Sequence, residues 1–265
     1  MLRNTSTLHG YGIAASDGRL GVITDLLFED TSWLLRWLVV DTGHWLSGRK
    51  VLLPVTVLGH LDPEKRELSV RMTMDAVRHS PDVDTERPVS RQIETGLYDF
   101  YGWRPYWNPG LFMDGLGYGY GGGATLPLPV AGSARLEDDV VAAARDRDDP
   151  HLRSVAAVTG YHIHASDGEI GHLADFLIED ADWSIHYLVV DTRNWWPGNK
   201  VLISPRSVRS VDWEDRSVNL TVDRQAVKSS PAYDPSMTVD RAYERRLHGY
   251  YSDIDAGDSR QLPLF

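Results

Sequence analysis

The sequence predicts a mainly β protein with two tandem small antiparallel β-barrels, each followed by a short helix, arranged as a pseudo-two-fold pair. Residues 10–102 and 160–252 are two copies of one sequence at a constant offset of 150 positions. Each copy contains several short runs of β-branched and aromatic residues, separated by turns with glycine or proline. A repeat of this length is a complete small domain, so we interpret the chain as a tandem duplication.

The repeat consists of motifs that recur without a gap. The turn Ser16-Asp17-Gly18 returns as Ser166-Asp167-Gly168, and the apolar run 38–42 returns at 188–192. A loop then follows in which tryptophan, glycine and lysine keep their positions. These residues are Trp45, Gly48 and Lys50 in the first copy and Trp195, Gly198 and Lys200 in the second.

Six strands are predicted in each copy. In the first copy the turn at 16–18 joins two strands as a hairpin, with glycine supplying a positive φ angle. The run ending at Asp41 is the longest apolar strand. Because a small half-buried sheet would expose bare edges, we expect the strands to form a closed or nearly closed barrel. The six predicted strands are residues 8–15, 19–29, 33–41, 50–53, 56–61 and 67–73.

Two helical segments are predicted after each barrel. In the first copy, residues 75–79 can form one turn that Pro81 stops, and Pro88–Tyr101 has a helical apolar face. We expect the second helix to pack on the outside of the barrel or across to its twin. The face consists of Ile93, Leu97 and Phe100/Tyr101, which correspond to Tyr243, Leu247 and Tyr250/Tyr251.

The predicted domains are residues 1–108 and 151–265, joined by a connector at 109–150. The connector contains the glycine-rich run Gly115–Gly123 and a Leu-Pro repeat at 126–129, which cannot bury a core. Its glycines are not followed by the lysine and hydroxyl residue of a phosphate-binding loop. We therefore expect it to be a loop.

Composition and charge exclude several function classes. The net charge of −11 and the sequence pI near 5.3 argue against nucleic acid or an anionic membrane surface as the main partner. Cysteine is absent, which excludes disulfides, thiolate catalysis and cysteine-ligated metals. No run reaches the roughly 20 apolar residues that span a bilayer, and the first residues do not resemble a signal peptide. The sequence therefore predicts a soluble, cytoplasmic protein.

The motifs resemble those of the bacterial tandem PRC-barrel proteins, which are named for the cytoplasmic domain of the photosynthetic reaction centre H subunit. In that subunit the domain caps the reaction centre and influences electron and proton transfer at the quinone. In a ribosome-maturation factor a similar barrel binds a ribosomal protein. The matching segments are residues 149–154, 159–163, 166–172, 188–194, 195–198 and 200–205 in the second copy, with their counterparts in the first.

The resemblance implies a non-catalytic protein-binding or scaffold protein without a cofactor. An H-subunit-like accessory subunit of a photosynthetic or electron-transfer membrane complex is the first alternative. A metal-binding protein that uses histidines of the second copy is the second alternative. Duplication of a self-associating module turns a homodimer into one chain, and a homo-oligomer of the whole chain is a further expectation.

The candidate partner-binding residues lie at the end of the long apolar strand and in the loop after it. A loop tryptophan beside a turn glycine is typical of an interface anchor. The alternative is that the tryptophans cover the barrel mouth or the seam between the copies. Each strand-ending aspartate could accept a partner's cation, but we favour a hydrogen bond to the following turn. The candidates are Trp45, Trp195, Trp196, Lys50, Lys200, Asp41 and Asp191.

Two further groups have chemical potential. Asp25 and Asp175 lie inside apolar strands and could act as paired acid–base carboxylates. No duplicated histidine, serine or lysine accompanies them, so we favour a solvated strand face. His162 and His164 share a strand face, and the hairpin register decides whether His172 joins them. Three imidazoles on one face could hold Zn²⁺ or Ni²⁺, although we favour an incidental cluster.

Overall fold

The computed structural model describes residues 1–80, 91–102, 152–192 and 200–235, together with 237, 239–240, 242–247 and 249–250. The predictions for the connector, for the loop with Trp195 and Trp196, and for the C-terminal tail lie outside these residues. The described chain is mainly β and forms two sheets. None of its described helices is long and apolar enough to cross a membrane.

The first half contains seven strands and three helices. Short 3-10 turns at Gly43–Leu46 and Val55–Val57 follow β4 and β5. The elements are β1 (Leu2–Asn4), α1 (Thr5–Leu8), β2 (Gly12–Ala15), β3 (Gly18–Glu29), β4 (Leu34–Asp41), β5 (Lys50–Pro54), β6 (Leu58–Asp62), β7 (Glu67–Val70), α2 (Met74–Arg78) and α3 (Arg91–Tyr101).

The second half repeats this order. A 3-10 turn at Pro205–Ser207 corresponds to the turn after β5, and residues 242–247 are helical. The elements are β8 (Leu152–Ser154), α4 (Val155–Val158), β9 (His162–Ala165), β10 (Gly168–Glu179), β11 (Ile185–Asp191), β12 (Lys200–Ile203), β13 (Val208–Asp212), β14 (Ser217–Leu220), α5 (Arg224–Ser229) and β15 (Ala232–Tyr233).

The two sheets share one topology. The first has the strand order β5-β4-β3-β2-β7-β6, and the second has β15-β12-β11-β10-β9-β14-β13. Register is repeated as well, since the pair Val22–Asp41 corresponds to His172–Asp191 at positions 150 higher. Most pairings are antiparallel, as predicted, but β2 with β7 and β9 with β14 are parallel.

The prediction of a closed barrel is wrong for the described residues, because neither sheet closes on itself. The edge strands β5 and β6 follow each other in the chain and are joined by the 3-10 turn Val55–Val57. This turn changes the chain direction over three residues, and no ladder forms between the two strands. Pro54, which ends β5, also has no N–H to donate. The two edge strands of the sheet are therefore connected by the chain itself, and no backbone hydrogen bonds between β5 and β6 close the sheet.

Each half provides the first strand of the other half's sheet. β1 pairs with β10 through Leu2–Glu179, and β8 pairs with β3 through Leu152–Glu29. An ion pair accompanies each strand. Its nitrogen and oxygen atoms lie 2.9 Å apart in Arg3–Asp180 and 3.0 Å apart in the matching Arg153–Asp30. The strand pairings and these two ion pairs are reciprocal, because each has a counterpart with the two halves reversed.

The strands β4 and β11 also meet across the two halves. The amides of Leu35 and Ile185 each donate to the carbonyl of a tryptophan in the other half, at 2.9 Å in both cases. These tryptophans are Trp33 and Trp183, and both have a positive φ angle. The ring of Phe28 lies 5.6 Å from that of Phe176, so one buried apolar cluster extends through both halves.

The helix α3 covers the outer face of the first sheet. Leu97 and Tyr98 are buried against a small cluster that includes Trp37 and Leu52. Glu94 is fully buried and accepts a hydrogen bond of 2.7 Å from Trp37 Nε1. Of the predicted face, Leu97 is buried and Tyr101 packs against the cluster, whereas 45% of Phe100 is exposed. The buried face also includes Glu94 and Tyr98, and each of its four residues lies three or four positions from two of the others.

Candidate functional site

Trp45 lies in the 3-10 turn after β4 and is half-buried. Its Nε1 donates to the carbonyl oxygen of Leu20 at 2.6 Å, which fixes the indole against β3. The guanidinium carbon of Arg78 lies 5.9 Å from the ring centroid. The indole is therefore anchored at one end, packs partly against the apolar core and has a cation beside its ring.

A cavity of about 320 Å³ opens directly beside Trp45. A separate cavity of about 400 Å³ lies between the two halves. The lining of the cavity beside Trp45 combines an aromatic ring, a guanidinium and the end of the long apolar strand. The lining residues are Arg19, Gly21, Val22, Asp41, Thr42, Gly43 and Trp45. We call the surface formed by Arg19, Asp41, Trp45, Lys50 and Arg78 the Trp45 corner.

Glycine at position 21 makes this corner possible. A Cβ atom at Gly21 would lie well inside van der Waals contact with the carbonyl oxygen of Asp41. The strands β3 and β4 approach closely there, at the end of their ladder. Gly171 has the same relation to Asp191 in the second half. The repeated glycine therefore sets the geometry of both corners.

The strand-ending aspartates differ in their surroundings. Asp41 Oδ1 accepts a hydrogen bond of 2.8 Å from the amide of Gly43, which is the turn-closing role favoured by the sequence. Thr42 Oγ1 donates to the carbonyl of Arg49 at 2.7 Å and tightens the same turn. Asp191 is 1% exposed, which leaves almost no surface for a partner to contact.

The structure brings together only some of the candidate partner-binding residues. Lys50 is exposed at the start of β5, where it lies opposite Asp41 in the backbone register of β4 and β5. Lys200 is half-buried, opposite Asp191 on one side and Tyr233 on the other. Since Trp195 and Trp196 lie outside the described residues, a shared surface with Lys200 stays a prediction.

His162, His164 and His172 lie on the hairpin formed by β9 and β10. The turn between these strands has two residues, and a β-bulge between Glu169 and Gly171 shifts the register so that His172 is paired with His162. Among the described residues, no group of three histidine, cysteine or acidic side chains is arranged to hold a metal.

His162 is engaged with a carboxylate. Its Nδ1 lies 2.9 Å from Oε1 of Glu169, and both side chains are exposed. This hydrogen bond is the main cause that lowers the pKa of the Glu169 carboxyl. The pair is therefore a surface hydrogen bond between neighbouring strands, and the nearby His164 lowers the pKa of the Glu169 carboxyl further.

Asp25 and Asp175 act across the interface between the halves. Asp175 accepts hydrogen bonds from Thr5 Oγ1 at 2.6 Å, from the Ser6 amide at 3.1 Å and from the Ser6 hydroxyl. Asp25 accepts from the Ser154 hydroxyl and from the Ala156 amide at 3.1 Å. Each carboxylate thus holds the first helical turn of the opposite half, α1 or α4.

The predicted solvated strand face is wrong for Asp175, which is 8% exposed. Strand exchange explains its burial, because β1 carries α1 over β10. Sequence reasoning missed this role. The available signal was a duplicated aspartate in an apolar strand, together with Asn4 and Ser154, residue types typical of helix N-caps, before each helical turn.

The cavity of about 400 Å³ lies at this interface and is lined by both halves. Its polar groups are largely committed to the protein itself, since Thr5 and Ser6 donate to Asp175 and Thr24 donates to the carbonyl of Val39. The matched lining residues are Thr5 with Val155, Ser6 with Ala156, His9 with Thr159, Thr24 with Ala174 and Asp25 with Asp175. The carboxylates there are structural ties between the halves.

Comparison with known families gives one match. Residues 6–73, about a quarter of the chain, match the PRC-barrel domain family. The match spans α1 to the residue before α2 and includes Trp45 and Lys50. No curated protein matches the chain. The first half therefore contains a PRC-barrel domain.

Proposed function

We propose that the protein is a non-catalytic scaffold that binds a protein partner through the Trp45 corner and the matching loop of the second half. The observation that carries this proposal is the half-buried Trp45, anchored through its Nε1 and lying beside an open cavity. Aromatic anchors next to a pocket are typical centres of protein interfaces. The matching loop contributes Trp195, Trp196 and Lys200.

The second half forms a second PRC-barrel module in this proposal, related to the first by a pseudo-two-fold axis. Two observations support it. The strand pairings recur at an offset of 150 residues, and the contacts between the halves are reciprocal. The exchanged strands would hold the two corners in a fixed relation, which suits a scaffold.

A binding role also agrees with the use of the two carboxylates between the halves. Asp25 and Asp175 each accept hydrogen bonds from the opposite half. A carboxylate that must keep such bonds to hold an interface together is poorly suited to exchange protons with a substrate.

The protein belongs to the cytoplasm in this proposal.

The alternative is an accessory subunit of a photosynthetic or electron-transfer membrane complex. The PRC-barrel match at residues 6–73 favours it, because this domain takes its name from the reaction centre H subunit. No contact between described residues favours the metal-binding alternative, since the histidines form no group that could hold a metal.

The test is affinity capture with the full-length protein from soluble and membrane fractions of the source organism, with captured proteins identified by mass spectrometry. We expect a specific protein that is lost with Lys50→Glu and with the double variant Trp195→Ala/Trp196→Ala. Lys65→Glu is the matched control, because Lys65 is an exposed lysine on the turn between β6 and β7.

The fractions separate the two functions. Subunits of a membrane complex, captured from the membrane fraction and lost in the variants, would favour the accessory-subunit alternative. A soluble partner with the same dependence would support the scaffold. Capture that is equal in all variants, or no specific protein at all, would refute binding through these corners.

A further inference from the structure

We infer that the Trp45 corner recognises an acidic segment of the partner protein, with a glutamate or aspartate side chain entering the cavity between Arg19 and Trp45. The inference rests on the proposed function and names the chemistry of its partner. It draws on the charges of the corner, on the replacement of Arg19 by an acidic residue in the second half and on the shape of the cavity.

The corner carries three exposed cations, Arg19, Lys50 and Arg78, and one carboxylate, Asp41. The Asp41 carboxylate accepts the amide of Gly43, and within the described residues it forms no ion pair with Arg19 or Lys50. The guanidinium of Arg78 lies over the Trp45 ring. By contrast, Arg3 and Arg153 are paired with carboxylates at the exchange. Three cations against one carboxylate therefore give the corner a positive charge on a chain with a net charge of −11.

The second half does not repeat this charge pattern. Glu169 occupies the position that corresponds to Arg19, and its carboxylate is paired with His162. The strand framework is the same in both halves, so the difference in charge does not follow from the fold. The repeat has thus diverged at the residue that lines the cavity beside Trp45.

The shape of the corner fits one side chain at a time. The cavity of about 320 Å³ is lined by the Arg19 guanidinium, the Trp45 indole and the Asp41 carboxylate, which accepts the Gly43 amide. An incoming carboxylate can pair with the guanidinium while its methylene groups lie against the ring. Lys50 and Arg78 lie outside this cavity, where they can meet further carboxylates of an extended segment. Nucleic acid is a poorer occupant, because the strongly negative chain would repel its phosphates over a longer surface.

The experiment measures binding of a fluorescein-labelled peptide of alternating glutamate and leucine to the full chain by fluorescence anisotropy. The matched control variant is Arg209→Glu, which makes the same charge change on an exposed arginine of β13. We expect Arg19→Glu to weaken binding by about tenfold or more, Arg209→Glu to change it by less than about twofold, and added salt to weaken it. Circular dichroism checks that both variants are folded.

Three results would overturn the inference. They are no binding to the wild-type chain, equal binding of a peptide with glutamine in place of glutamate, and equal weakening by the two variants. If the peptide binds only after Asp253, Asp255 and Asp258 are changed to asparagine, the corner belongs to the chain's own C-terminal segment instead. The two experiments fail independently. If affinity capture finds a partner that is lost with Lys50→Glu, the proposed function stands even when the peptide result overturns this inference. If affinity capture fails, the peptide measurement is unaffected.

Discussion

Gly21 and Gly171 allow two strands to approach each other more closely than a residue with a Cβ atom would permit. Both glycines lie where the long strand of each half passes close to the carbonyl of Asp41 or Asp191. The two glycines correspond to each other in the repeat, but the sequence alone did not show why glycine is needed at these positions. The reason is visible only when the bulge in the strand and the carbonyl opposite are placed together.

Substitution of Gly171 by alanine should therefore destabilise the protein. The added Cβ would clash with backbone atoms of Asp191, which cannot rotate away, and we expect a loss of about 1–3 kcal/mol in the free energy of unfolding. Urea denaturation measures the change. Gly96→Ala is the control, because Gly96 lies in α3 with open space around it, and the change there should stabilise the protein by about 0.5–1 kcal/mol. Equal effects of the two substitutions would contradict the steric explanation.

Tyr187 gives a prediction for alkaline pH. Burial is the main cause that raises its pKa from 10.0 to about 12, and the nearby Glu244 carboxylate and Tyr243 act in the same direction. The folded pKa lies above the unfolded one, so the contribution of Tyr187 to stability is complete below pH 10 and is lost as the pH rises towards 12. Phenolate absorbance of the wild type minus that of Tyr187→Phe should titrate near pH 12. A difference that titrates near pH 10 would show that this phenol is solvated.

At the scale of elements, most strands could be predicted from the sequence. The runs ending at Glu29 and Asp41 have the β-branched and aromatic composition of buried strands, and the structure confirms strands there. The helical turn Thr5–Leu8 was missed, because four residues are too few to show a helical period, and the first predicted strand began at the residue where this turn ends. The prediction that the strands close into a barrel was wrong, because the sequence indicates the strands but not the sharp 3-10 turn between β5 and β6.

The attachment of α1 and α4 to the opposite sheets predicts unequal effects for two related aspartates. Asp175→Ala removes the acceptor for two hydroxyls and one amide of α1, and we expect a loss of about 2–3 kcal/mol. Asp25→Ala removes the acceptor for one hydroxyl and one amide from the other half and should cost about 1–2 kcal/mol. Hydrogen exchange should show the Ser6 amide losing protection in Asp175→Ala only. Equal losses of stability would mean that the count of donors does not set the strength of each tie.

At the scale of the molecule, the sequence predicted a pair of related halves but not the strand exchange between them. β1 and β8 are three residues long, and each pairs with a strand more than 120 positions away in the chain. No periodic pattern in three residues can indicate such a partner. The same limit applies to the cavity between the halves, which depends on where α1 and α4 are placed.

The exchange predicts that the two halves behave as one folding unit. A protease site introduced between residues 120 and 125 of the connector should allow cleavage without separation, and both fragments should elute together in size-exclusion chromatography. The reason is that each fragment would still pair its first strand with the sheet of the other. Calorimetry should likewise show a single unfolding transition of the uncut chain. Fragments that separate under native conditions, or two resolved transitions, would contradict this view.

The pairing of β8 with β3 also affects synthesis of the protein on the ribosome. The edge of β3 at Leu27–Glu29 receives its partner only when Leu152–Ser154 has been made. Until then the nascent first half exposes the strand edge and the side of the apolar cluster that Phe176 later covers. Completion of the first sheet is therefore delayed until the second half emerges, and slower elongation would lengthen the interval in which the exposed edge can pair with other chains.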